Sequence, residues 1–367
     1  MKILIIANSS IVFGKELKNE LTSREQEVSL LDFETLDLHS KQEHNRRYTE
    51  LFIHFKKIPK LHMFFRMYLI AKLLKEQEFD CINIHYSRWV YLLILPTLRT
   101  KNYIITFYGS DFYRSSSLIK NLQRPLYQHA KALTFTNPLT KQSFLEFYNR
   151  FEEKSHVCRF GLKTLEYIDS NRDQERKVLQ KSLGYSTTKT VVTCGYNATA
   201  AQQHFKMIAL LESIDKKALE NVQFIFPLTY GNKQYKAQVI TRLKETTLDY
   251  LILDTFLYKD DNAAIKLASD IMINLLETDS FSGSMQEFLY ADNLVITGSW
   301  LPYALFDQEG IHYLKIDTLP ELSETLLTAL QTYQSLKPSL QHNREIIYKL
   351  SSWQKNIQNW IDVYEHS

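Results

Sequence analysis

The chain has 367 residues, 44% hydrophobic and 23% charged, with 44 basic and 41 acidic side chains. That composition excludes wholesale disorder and fibrous repeats, and the near-neutral balance argues against general nucleic-acid binding. The length suits two domains, each large enough to bury a core.

In chain order, Ile3–Ala7 reads as a first buried strand, followed by a turn at Asn8, Ser9 and Ser10 and a helix from about Gly14 to Leu21. Strands are predicted next at Val28–Leu31, Cys81–Ile84, Tyr103–Phe107 and Ala132–Phe135, with helical segments between them. His156–Phe160 is strand-like and gives way to a polar helix over Ile168 to Leu183. The pattern then restarts, with strands at Thr190–Cys194, Val222–Pro227, Tyr250–Leu253, Ile271–Leu275, Leu294–Thr297 and His312–Lys315. Apolar runs without alternation, spaced by helices, predict parallel βαβ units buried on both faces. Two successive series predict an α/β chain of two Rossmann-like, doubly wound parallel-sheet domains. Their expected limits are 1–165 and 166–345. Residues 346–367 form a terminal segment, in which Trp353, Ile357, Trp360 and Ile361 recur at helical spacing.

Charge is divided unevenly. Residues 1–165 contain 25 Lys/Arg and 16 Asp/Glu, and the remainder 19 and 25. A basic first half predicts a face that meets an anionic partner. The bias is strong in residues 41–75, where nine basic residues, among them Lys56, Lys57, Lys60 and Arg66, face only Glu43 and Glu50. Aromatic residues interleave with them, as suits an anionic membrane surface. The opening run Ile3–Ile6 is too short for a signal-peptide core. Trp89–Leu95 falls well below the roughly 20 residues that a membrane span needs. Cys81, Cys158 and Cys194 are too far apart for a zinc or disulfide framework and are expected to be buried thiols. A soluble or peripheral protein in a reducing cytosol is the expectation.

Ligands of open parallel sheets bind beyond the carboxyl ends of the strands. After Ile271–Leu275 comes Asp279-Ser280-Phe281-Ser282-Gly283-Ser284-Met285-Gln286-Glu287, leading into a helix. Ser282, Gly283 and Ser284 at a helix start suit a phosphate, because helix N-termini present unpaired N–H groups. Glu287 one turn inside is placed to take the hydroxyls of a ribose. The plainer reading is a Ser cap with Glu287 near the third helical position, a capping box.

The Asp279-x7-Glu287 spacing, then a helix and Leu294–Thr297, resembles the acidic-x7-Glu motif of GT-B glycosyltransferases, above all glycosyltransferase family 4. The resemblance implies a GT-B arrangement in which the C-terminal helix of 346–367 packs back toward the N-terminal domain, and a nucleotide-sugar donor, with Glu287 on the ribose and Asp279 by the sugar ring. The family has Glu where Asp279 stands. Gly195, Asn197, Gln203 and His204 lie where the family holds the donor diphosphate, with the family's basic pair replaced; a surface position is the plainer reading of His204. The segment Phe226 to Asn232 with Tyr230 resembles the Pro–Gly–Tyr loop of bacterial transferases that add an acetamido-deoxy-galactose to a lipid-linked enterobacterial antigen. Tyr108-Gly109-Ser110-Asp111 resembles the family's His-Gly-x-Asp stretch. It implies Tyr108 and Asp111 as catalytic candidates, Asp111 receiving a proton or fixing Arg114; a helix-capping role is the plainer reading. Asn8, Ser9, Gly14 and Arg159 fall on the acceptor side.

No Asp-x-Asp triplet, P-loop or Gly-x-Gly-x-x-Gly occurs, so no metal and no cofactor are expected beyond the donor itself. The expected partners are a nucleotide-diphosphate sugar, a lipid-linked or growing glycan and the inner face of a bacterial cell membrane, in the synthesis of surface polysaccharide. The rival expectation is a non-catalytic GT-B-like subunit that binds acceptor or another transferase.

Overall fold

A computed structural model describes residues 1–8, 12–40, 44–45, 47–56, 61–279 and 281–366, with backbone alone at 44–45 and 54–56. The chain divides into two compact units. The first joins Met1–Gly161 to Trp353–Ser367, and the second is Leu162–Ser352.

The first unit is built on β1 (Lys2–Ala7), β2 (Glu27–Asp32), β3 (Leu38–His39), β4 (His44–Asn45), β5 (Cys81–His85), β6 (Tyr103–Phe107), β7 (Ala132–Phe135) and β8 (Ser155–Val157). Their order in the sheet is β4-β3-β2-β1-β5-β6-β7-β8. The long strands run parallel, and β3 and β4 add an antiparallel edge that the sequence pattern did not show. Alternate residues of β1 enter two different cores. Leu4 and Ile6 meet the helix Leu61–Glu76 through Leu73 and Leu74, whereas Ile3 and Ile5 lie with Leu17, Ile357 and Trp360. That is why β1 reads as an unbroken apolar run. Each such side chain, fully buried, stabilises by about 1.5–3 kcal/mol.

The helix Trp353–Glu365 completes the second of these cores through its buried Trp353, Ile357, Trp360 and Tyr364. The Tyr364 hydroxyl accepts from Asn83 Nδ2 at 2.7 Å, and Thr106 Oγ1 donates to Asn83 Oδ1 at 2.8 Å, so the buried Asn83 amide is paired at both ends. Gly161 has no room for a side chain, since a Cβ would stand 2.3 Å from Trp353 Cγ. The strand expected over His156–Phe160 ends at Val157. Beyond it, the Arg159 carbonyl accepts from the Trp360 indole at 2.9 Å instead of joining a ladder.

The second unit carries β9 (Thr190–Cys194), β10 (Val222–Pro227), β11 (Tyr250–Leu253), β12 (Ile271–Asn274), β13 (Leu294–Gly298) and β14 (Leu314–Ile316). All are parallel, in the order β11-β10-β9-β12-β13-β14. The expected strand at His312–Lys315 begins only at Leu314, because Asn343 takes both backbone groups of His312. Its Oδ1 accepts from His312 N, and its Nδ2 donates to His312 O, each at 2.7 Å. The single helix expected over Ile168 to Leu183 is two, Thr164–Asn171 and Arg176–Ser182. Asn171 ends the first: its side chain donates to Tyr167 O at 2.8 Å and to Asp260 Oδ1 at 2.7 Å. Asn competes with the helical ladder in this way. Residues 162–165, expected in the first domain, belong to the second unit, as does the long helix Leu322–Ser351.

Candidate functional site

In the second sheet the strand order reverses at β9, whose neighbours are β10 and β12. Loops that diverge at such a switch leave a crevice for ligands. Gly195 follows β9 at φ +68, a left-handed conformation that favours glycine. Its N–H donates to Ile273 O at 2.9 Å, and a Cβ there would lie 2.7 Å from Gln202 Oε1 and 3.3 Å from His204 Nε2. Glycine thus lets Gln202 and His204 close over the strand end.

His204 is wholly buried at the start of the helix His204–Glu212, which excludes the surface position. Burial lowers its pKa to about 4, so the ring is neutral at pH 7. Its Nδ1 lies 3.3 Å from Tyr235 Oη, and that hydroxyl also accepts from the His204 backbone N–H at 3.2 Å. Its Nε2 has no hydrogen-bond partner among the described residues. Gln203, at φ +57, donates from Nε2 to Leu275 O at 2.7 Å and accepts from Lys206 Nζ at 2.9 Å. Lys206 puts a cation in the first turn of this helix that spacing alone did not reveal. Asn197 accepts from Thr199 N and Oγ1, at 3.1 and 2.8 Å, and its Nδ2 donates to the half-exposed Tyr230 at 3.4 Å.

Beyond β12, Ser282 caps the helix Gly283–Tyr290, its Oγ accepting from Met285 N at 3.1 Å. The third helical position is therefore Met285, and Glu287 makes no capping box. Instead Glu287 Oε2 lies 3.1 Å from Lys266 Nζ, in an ion pair whose side chains are 12% and 5% exposed. Lys266 also donates to Asn262 Oδ1. The negative charge of Glu287 contributes to the raised pKa of Tyr230, behind burial, so the two share the site. A Cβ on Gly283 would stand 3.1 Å from Leu162 Cδ2, which gives this glycine a packing role as well. Ser284 is half-exposed beside it.

Asp279 accepts from Tyr303 Oη, which in turn accepts from Asn274 Nδ2 at 3.2 Å. Burial first, and then the Asp279 charge, raise Tyr196 to about 12. Lys266, Asn274, Tyr196 and Tyr303 were missed by sequence reasoning. Asn274 alone had a visible signal, a lone amide ending an apolar strand.

At the carboxyl ends of β5 and β6 in the first unit, Tyr86 has φ +71 and Gly109 φ +98. Asp111 is buried, and both its oxygens are engaged. Oδ2 accepts from Ser87 N at 2.9 Å, and Oδ1 from Tyr108 N at 3.1 Å and Gly109 N at 3.0 Å. Burial outweighs these hydrogen bonds and raises its pKa to about 6. Asp111 thus clamps the two loops; it neither fixes Arg114 nor caps the helix Ser117–His129, whose cap is Ser116. The Tyr108 hydroxyl is 2.9 Å from Nδ1 of the buried His85. Burial pushes the Tyr108 phenol far up, which excludes it as a base near neutrality. The rings of His85, Tyr108 and Trp360 gather around Phe160.

Asn8 directly follows β1. Gly14 is buried in the helix Val12–Thr22, where a Cβ would press on Ala7 Cβ at 3.1 Å. Arg159 is half-buried. Ser9, Lys57 and Lys60 lie outside the described residues, as does the side chain of Lys56. Arg66 does not face a membrane. It is 4% exposed, 3.0 Å from Glu34 and packed over Phe33 and Phe52. The three cysteines are buried free thiols. Among the described residues no cluster of His, Cys, Asp or Glu could hold a metal ion, and no helix is long and apolar enough to cross a membrane.

Residues 2–141 match the model of the family described as glycosyl transferase 4-like. Across the whole chain the fold is that of GT-B glycosyltransferases. A glycosyltransferase from Rickettsia africae is 14% identical, with a TM-score of 0.75 over 99% of this chain and 98% of its own. Anabaena Alr3699/HepE, solved in complex with UDP, is 14% identical, with a TM-score of 0.71 over 100% of each chain. Sucrose-phosphate synthase from Thermosynechococcus elongatus is 12% identical, with a TM-score of 0.69 over 100% of this chain and 98% of its own. No curated protein matches the sequence.

Proposed function

We propose that this protein transfers a sugar from a nucleotide-diphosphate sugar to a lipid-linked or growing glycan, at the inner face of a bacterial membrane, in surface polysaccharide synthesis. One observation carries the donor side of this reading. At the switch point of the second sheet, the buried neutral His204 turns an unpaired Nε2 toward Gly195, which follows β9. Buried polar atoms are nearly always hydrogen-bonded, and an orphan of this kind calls for an explanation. A diphosphate oxygen supplies the missing partner to a ring tautomer that is protonated at Nε2. HepE, which shares the fold, is seen with UDP and with UDP-glucose.

In this reading Lys206, Gly195, Asn197, Gln203 and the Ser282–Ser284 cap surround the diphosphate. Glu287 accepts from the ribose with the oxygen not given to Lys266, and Tyr230 lies by the nucleobase. Asp279, held by Tyr303, faces the sugar. Negative charge that develops on the leaving diphosphate meets preset N–H groups and the Lys206 cation, which serve better in a dry site than in water. In the first unit, Tyr108 donates a hydrogen bond to sugar or acceptor, and Asn8 and Arg159 line the acceptor side. No metal or cofactor takes part, so chelation by EDTA is expected to leave transfer unchanged.

The second reading is a non-catalytic partner subunit. It is favoured by the fact that Asp111, Asp279 and Glu287 each already have a protein partner. The test is thermal unfolding with UDP, GDP, dTDP, CMP and their sugar conjugates. A ligand at 100 times its dissociation constant adds about 2.7 kcal/mol. A shift with one nucleotide, lost in His204→Ala and Glu287→Gln, supports the transferase. No shift with any of them supports the partner subunit.

A further inference from the structure

Glu287 meets its ligand already half engaged. A carboxylate that holds two adjacent hydroxyls gives one oxygen to each, and both oxygens must be open to accept. In this chain Oε2 lies 3.1 Å from Lys266 Nζ, and both side chains are nearly buried. Oε1 has no hydrogen-bond partner among the described residues. The remaining lone pair of Oε2 is a poorer acceptor, since the ammonium has drawn on that oxygen's charge. Asp279, at the start of the same stretch, is engaged by Tyr303 Oη. One strong acceptor oxygen therefore faces a ribose that carries two hydroxyls.

Lys266 is held from its own side. It stands on the helix Lys259–Ala268, donates from Nζ to Asn262 Oδ1 one turn earlier, and lies 5.6 Å from the centre of the Phe288 ring. Its carbonyl accepts from Asn293 Nδ2 at 2.8 Å, which fixes the backbone that carries it. Withdrawal from Glu287 would strand a buried cation, at a cost far above what a neutral hydroxyl returns. An incoming ribose thus shares the carboxylate with Lys266 and does not displace it.

We propose that Lys266 is a specificity-determining residue, acting through Glu287, and that the donor site reads a single ribose hydroxyl. A 2′-deoxyribonucleoside diphosphate then binds at least as well as its ribonucleotide. The inference rests on the assignment of Glu287 to the ribose. A ribonucleotide gains one charge-assisted hydrogen bond here, and its second hydroxyl gives up water without an equal acceptor in return. The deoxy form keeps the one bond and leaves no hydroxyl unmatched. Selectivity is a difference between two affinities, and Lys266 removes the contact that would create the difference.

The test is isothermal titration of the full chain with UDP, GDP, CDP and ADP, each beside its 2′-deoxy form. The members of each pair differ only in the 2′-hydroxyl. For the base that binds, equal affinity or tighter binding of the deoxy form is expected. Lys266→Met releases Oε2, and there the ribonucleotide is expected to bind about tenfold more tightly than the deoxy form, the worth of one hydrogen bond to a charged group. The readout is a ratio within one protein, so a general loss of stability in Lys266→Met does not produce it. A parent protein that binds the ribonucleotide about tenfold more tightly overturns the proposal and leaves the donor site standing. So does a ratio that Lys266→Met leaves unchanged. Binding of no nucleotide by the parent sinks the donor reading itself, and this inference with it. The parent comparison needs no variant and decides against the proposal even where Lys266→Met does not fold.

Discussion

The two units hold their candidate carboxylates in opposite ways. In the first, Asp111 is satisfied by three backbone N–H groups from two loops. In the second, Glu287 is satisfied by a single buried lysine and Asp279 by a tyrosine hydroxyl. Backbone donors are fixed by the fold and cannot follow a ligand. Side-chain partners can change rotamer and share their carboxylate with a hydroxyl that arrives. The second unit is therefore the one equipped to trade an internal contact for a ligand, and the first is equipped to hold a shape.

The largest expected effect tests the side-chain half of that contrast. Glu287→Ala strands the Lys266 charge in the interior and should destabilise by about 3–5 kcal/mol in urea unfolding, with Lys266→Met/Glu287→Leu recovering much of the loss. The next tests the backbone half. Asp111 has a native pKa of about 6, above an unfolded value of about 3.9. The folded state holds the extra proton between those values, so this group's contribution falls by about 2–3 kcal/mol as pH rises from about 4 to 6. Asp111→Asn should flatten that part of the stability–pH curve relative to the parent. Gly195→Ala forces a side chain into the left-handed region and against Gln202, and should lose about 1–2 kcal/mol together with nucleotide affinity. The smallest is Ser282→Ala, which removes the cap of Met285 N and should lower stability by about 1 kcal/mol. If Ser282→Ala nevertheless abolishes the nucleotide-induced shift, the serine binds the donor as well as capping the helix.

Much of the fold was legible because its strands are buried on both faces. Tyr103–Phe107, Thr190–Cys194 and Val222–Pro227 carry no polar alternation to blur them, and they form as read. The edges were not legible. Leu38–His39 and His44–Asn45 are two residues each, too short to show a period. At the site, sequence reasoning named Gly195 and Glu287, since loops after strands can be counted. It could not see that Lys266 reaches Glu287 from another helix, or that Tyr303 reaches Asp279 from beyond β13. Those contacts depend on how elements pack, and no local spacing encodes them. Arg66 failed for the same reason: its partners Glu34 and Phe33 lie more than 30 residues earlier.

The first unit is interrupted. Its last helix, with Trp353 and Trp360, arrives only after the whole of Leu162–Ser352 has been made. At about 5–20 residues per second, a ribosome needs roughly 10–40 s for that stretch. Throughout that interval, the core around Ile3, Ile5 and Ile104 has Leu17 and Leu21 but lacks Trp353, Ile357 and Trp360, while a complete second unit is able to fold. For this chain, the domain that is synthesised first is the one that must finish last.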